Sequence, residues 1–100
     1  MKTLGIFVIS DRHLEYVFPL AQAANREGLA VCIHLLGPGV HLVRQEAFDQ
    51  LPDLARISIC SESAEYFKVN CLLPPEGRAA LVPAGDMARI IRMCDRQLFI

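Results

Sequence analysis

Short runs of aliphatic and β-branched residues alternate with segments whose apolar residues recur at helical spacing, and this alternation runs through the 100-residue chain. Residues 3–10 form a continuous apolar run rich in Ile, Val and Phe, ended by Asp11, Arg12 and His13, as in a strand buried on both faces. From Leu14 to Glu27 the apolar positions Leu14, Val17, Phe18, Leu20, Ala21 and Ala24 predict a helix that Gly28 stops. Pro19 fits only the first turn, so this helix starts as late as Phe18. A second buried strand spans residues 29–36 and is closed by Gly37-Pro38-Gly39. Val40, Leu42, Val43, Ala47, Phe48 and Leu51 then mark a second helix ended by Pro52.

The pattern repeats to the end of the chain. A third strand covers residues 56–60, a short helix opens at Ser61, and Pro74-Pro75-Glu76-Gly77 makes an exposed turn. Residues 79–82 predict a short fourth strand, residues 84–93 a last helix, and residues 97–100 a fifth strand. Alternation of this kind predicts an α/β domain over residues 1–100: a doubly wound, largely parallel sheet of about five strands with helices on both faces.

Composition narrows what such a domain does. Ten basic and eleven acidic residues give a formal charge of −1 with no basic run longer than two residues, so no nucleic-acid partner is expected. The apolar fraction of 53% is high for a chain whose small size leaves it mostly surface, which predicts a homo-oligomer, a dimer or trimer, that shares apolar surface between subunits. The longest apolar stretches are too short, or too interrupted by His34 and the Gly-Pro-Gly turn, to cross a bilayer. The amino terminus enters a strand at once and carries no leader pattern. Cys32, Cys60, Cys71 and Cys94 are therefore read as reduced thiols in a cytoplasmic protein.

In doubly wound sheets ligands bind beyond the carboxyl ends of the strands, which directs attention to the residues that follow each one. Cys60 stands where the third strand hands over to a helix. A thiol there lies over unpaired helix N–H groups that favour the thiolate, although a cysteine also packs well as a small buried hydrophobe. If the first and third strands are neighbours, Arg12 or His13 approaches Cys60 and stabilises its anion; the other reading is a solvated loop. Glu62 acts the other way unless it points to solvent or caps a helix. Gly37 and Gly39 present backbone N–H groups to an anion or simply make a turn. Cys32 belongs to the core of a strand, Cys71 to a loop, and Cys94 to a half-buried position after the last helix.

Several sharper motifs are absent. A receiver domain needs acidic residues at the ends of both the first and third strands, yet the third ends in Cys60. A thiol phosphatase needs a cysteine and an arginine bracketing a short phosphate loop, and a dinucleotide site needs GxGxxG where this chain has Ser-Asp-Arg-His. There is no CxxC, and His13, His34 and His41 match no metal spacing, so no metal or cofactor is expected.

The chain resembles the DsrE/DsrF-like family, small α/β proteins that include the sulfur-relay subunits of the Tus and Dsr complexes. The likeness is carried by the opening strand, then LAQAANREGLAVCIHLLGPGV, ISICSESAEYF and the closing CDRQLFI, in that order. In family members that carry it, a cysteine after the third strand accepts sulfur as a persulfide and passes it on, and Cys60 stands at that position. The resemblance implies a sulfur carrier or sulfurtransferase-like protein with a donor or acceptor protein as partner. Members lacking the cysteine serve as structural subunits, so a non-catalytic assembly role is the alternative.

Overall fold

The computed structural model describes residues 1–69 and 79–100. They form a five-stranded, all-parallel sheet from β1 (Thr3–Val8), β2 (Ala30–Leu35), β3 (Arg56–Cys60), β4 (Ala79–Val82) and β5 (Arg96–Phe99), in the order β4-β3-β2-β1-β5. The first four strands step across the sheet in one direction. The chain then returns over it and lays β5 on the other side of β1, so the switch point falls between β1 and β5.

Strand alternation sends the two sets of side chains to different helices. Ile6, Val8, Val31, Ile33, Leu35, Ile57 and Ile59 point to one face, where Val17, Ala21 and Ala24 of α1 (Val17–Arg26) and Ala64 of α2 (Ser61–Tyr66) cover them. On the other face Phe7 packs with Ile90 and Cys94, with α3 (Met87–Arg92) above it. Helices thus lie on both faces, as the alternation predicts; among the described residues the six-residue α3 covers the Phe7 side.

Local chemistry sets the element ends. A 3-10 turn at Leu14–Tyr16 leads into α1, which admits Pro19 in its first turn. Gly28 ends it at φ +79°, with its N–H on Asn25 O and the Leu29 N–H on Ala24 O, a Schellman pair. The same closure ends α2, where Lys68 takes the left-handed position at φ 56° and the Val69 N–H reaches Ala64 O.

The predicted second helix is different. Residues Gly37–Arg44 and Glu46–Asp53 form two 3-10 segments broken at Gln45, whose ψ of 144° is extended. Pro52 lies inside the second segment rather than ending a helix. The apolar spacing is met all the same, because Val40, Leu42, Phe48 and Leu51 are buried against the sheet. Tight 3-10 turns bring the same side chains to the core without a continuous α-helical ladder. The predicted turn at residues 74–77 lies outside the described residues, as does Cys71.

Candidate functional site at the carboxyl edge

β3 ends at Cys60, whose extended backbone (φ −63°, ψ 117°) makes it the N-terminal cap position of α2. Cys60 is 5% exposed. Around it the connections after three strands are tied together. The Gly37 N–H donates to Ser63 Oγ at 2.9 Å, joining the loop after β2 to α2. The Glu62 carboxylate accepts the Ser61 hydroxyl at 2.6 Å and the Ala84 N–H at 3.1 and 3.2 Å. Those bonds, the Ser61 hydroxyl first and the Ala84 amide second, hold the Glu62 carboxyl below its ordinary pKa. Glu62 therefore caps the turn that follows β4 and is not left as an uncommitted charge beside the thiol.

The other residues predicted to join Cys60 are elsewhere. β1 and β3 are not neighbours: β2 lies between them, so Arg12 and His13 follow a strand two spacings away, about 10 Å. Both are exposed, and the His13 ring packs against Tyr16 at 5.7 Å. The expected adjacency rests on the strand order usual at a switch point, whereas the actual order is set by contacts between residues distant in sequence. Gly37 and Gly39 form a turn whose N–H groups are already bonded, to Ser63 Oγ and to Leu36 O, which removes the donors an anion would need. Gly39 is required sterically, since a Cβ there would overlap the Val8 carbonyl.

The whole chain superposes on a solved structure. That structure is described as the crystal structure of the ychN protein from E. coli, and the match has a TM-score of 0.69 over 100% of this chain and 99% of that one. At 14% identity the ychN likeness is one of fold. No protein-family model matches the chain, and no curated protein matches its sequence.

A second group of chemistry-bearing side chains occupies the face toward α3, below the carboxyl edge of the sheet. His34 is 1% exposed; its Nδ1 is 2.7 Å from Ser58 Oγ, and its ring meets Phe7 edge-on at 6.2 Å. Burial lowers its pKa below 6.5, against smaller opposing effects of Asp86 and Ser58, so the imidazole is held neutral. Below it Cys32 pairs in register with Arg56 and opens into a groove of about 420 Å³ lined also by Ser58, Arg89, Ile90 and Met93. Sequence reasoning placed Cys32 in the core and passed over Ser58. The available signal was parity: Cys32 and His34 on β2, and Arg56, Ser58 and Cys60 on β3, are each spaced by two. Among the described residues no group of three or more His, Cys, Asp or Glu is placed to hold a metal ion, and no helix is long and apolar enough to cross a membrane.

Proposed function

We propose that the protein is a sulfur carrier of the DsrE/DsrF-like type, with Cys60 as the residue that holds the sulfur. The observation carrying this reading is the position of Cys60, at the carboxyl end of β3 and the start of α2, in a chain whose ordered segments resemble that family. The fold shared with ychN over the full length is compatible with it. In the proposed step the Cys60 thiolate attacks the outer sulfur of a donor persulfide, the donor S–S bond breaks, and the donor leaves as a thiolate. An acceptor thiolate then takes the outer sulfur from Cys60 and restores its thiolate. The partners are a donor or acceptor protein and further copies of the same chain, in the cytoplasm.

A second reading, a non-catalytic assembly subunit, is favoured by one observation: Cys60 is buried, with 5% of the residue exposed. The rate of Cys60 alkylation as a function of pH separates the two. A carrier gives rapid modification at neutral pH, because its sulfur must be reachable by a donor persulfide. A thiol that is only packed reacts slowly, and faster only as the solution becomes alkaline.

A further inference from the structure

On the α3 face of the sheet, Gly5 of β1 pairs in register with Cys32 of β2, so the Cys32 side chain stands beside a position that has no side chain of its own. Cys94 fills that space. A Cβ built on Gly5 would lie 2.6 Å from Cys94 Sγ and 3.2 Å from Cys94 Cβ, which puts the Cys94 thiol directly over β1 and against its neighbour on β2. Two hydrogen bonds fix this arrangement at the chain level: Asp95 N–H to Thr3 O at 2.9 Å, and Thr3 N–H to Asp95 Oδ2 at 2.7 Å. The Cys94 thiol donates to Ile90 O at 3.3 Å. Cys32 and Cys94 are both free thiols in this structure.

The two thiols have different surroundings. Cys94 is 7% exposed, and burial, followed by the adjacent Cys32 thiol and Asp95, pushes its pKa up, so it keeps its proton. Cys32 is half-buried and lines the groove together with Arg56 and Arg89, where a small oxidant has access to its sulfur. Cys60 is outside this pair: it lies four residues along β3 from the level of Cys32, about 13 Å, beyond the reach of a disulfide.

We propose that Cys32 and Cys94 are a redox-active dithiol, oxidised by a hydroperoxide that enters the groove, and that the disulfide ties α3 to the sheet. In the first step the Cys32 thiolate attacks the hydroperoxide; the O–O bond breaks, sulfur takes the hydroxyl, and the leaving alkoxide takes up the proton that the Cys32 thiol released on ionising and departs as the alcohol. In the second step Cys94 sulfur attacks Cys32 sulfur. The S–S bond forms, the S–O bond breaks, and the departing hydroxide takes the Cys94 proton to leave as water. Two thiols are oxidised by two electrons and the hydroperoxide is reduced to alcohol and water. Cys32 meets the oxidant because it faces the groove, and Cys94 resolves it because it waits behind with its proton. The pair is independent of the sulfur-carrier reading, since neither residue is Cys60.

The test treats reduced full-length protein, and separately the Cys60→Ser variant, with hydrogen peroxide, then unfolds it in denaturant, blocks remaining thiols with an alkylating reagent, and maps peptides by mass without reduction. The expected result in both proteins is a loss of two thiols per chain, a Cys32 peptide joined to the Cys94 peptide, and full recovery on reduction. In Cys94→Ser the oxidation stops at a sulfenic acid on Cys32 that dimedone traps. In Cys32→Ser the Cys94 thiol remains alkylatable. A wild-type map in which Cys32 and Cys94 stay unjoined, or in which either is joined to Cys60 or Cys71 instead, overturns the proposal.

Discussion

A methyl group added at Gly39 meets backbone, whereas one added at Gly28 meets open space. The Gly39 Cβ would overlap the Val8 carbonyl, which cannot move without breaking the Leu36 N–H bond that ties β1 to the end of β2. Gly39→Ala is therefore expected to destabilise by about 3 kcal/mol or more. Gly28→Ala costs only the left-handed backbone at φ +79°, about 1 kcal/mol, since nothing lies within 4 Å of its Cβ. Urea unfolding midpoints of the two variants check the ranking. His34 gives a second residue-scale prediction. Its pKa is lowered on folding, so the unfolded chain binds more protons between the folded value and 6.5; stability is full above 6.5 and is lost as pH falls through the folded pKa. His34→Gln keeps a hydrogen-bonding group near Ser58 but does not titrate. The drop in unfolding midpoint between about pH 7.5 and about pH 5 should be smaller in that variant than in the wild type. An equal drop in both would remove His34 as its source.

Elements were legible where a local signal decides them. The strands came from apolar runs, and α1 came from its spacing, Pro19 and Gly28, all of which act within a few residues. The split of residues 37–53 was not legible, because Gln45 is an ordinary residue whose extended backbone is fixed by how Leu42 and Phe48 reach the core on either side of it. The site divides in the same way. Cys60 at the junction of β3 and α2 is a local feature, and sequence located it. The neighbours of Cys60, the His34 and Ser58 contact, and the Cys32 and Cys94 pair depend on register between strands far apart in sequence. One element carries a mismatch that a substitution would relieve. Lys68 adopts the left-handed position ending α2 at φ 56°, a conformation that suits glycine. Lys68→Gly is expected to stabilise by roughly 0.5–1 kcal/mol, and no increase in unfolding midpoint would mean that Lys68 side-chain contacts outweigh the backbone relief.

At the scale of the molecule, the strand order places β5 at one edge of the sheet formed by the described residues, with all four of its residues exposed. Leu98 and Phe99 are 37% and 49% exposed there, and Leu81 on β4 is 47% exposed at the opposite edge. Exposed apolar side chains on the two edge strands are what a chain with shared subunit surfaces would carry. Light scattering is expected to return the mass of two or three chains, and a value of 11.1 kDa at micromolar concentration would contradict self-association. The same register leaves Cys60 at the carboxyl end of β3, four residues along that strand from the level of Cys32, and Cys94 packs over Gly5 beside Cys32, so the two proposals rest on different cysteines. Their division makes the sulfur-carrier account open to a single direct measurement: the intact mass of the protein after incubation with a persulfide donor. The account predicts one added sulfur per chain, lost on mild reduction and absent in Cys60→Ser. Full labelling of Cys60→Ser, or no labelling of wild-type protein whose Cys60 is alkylatable, would contradict it.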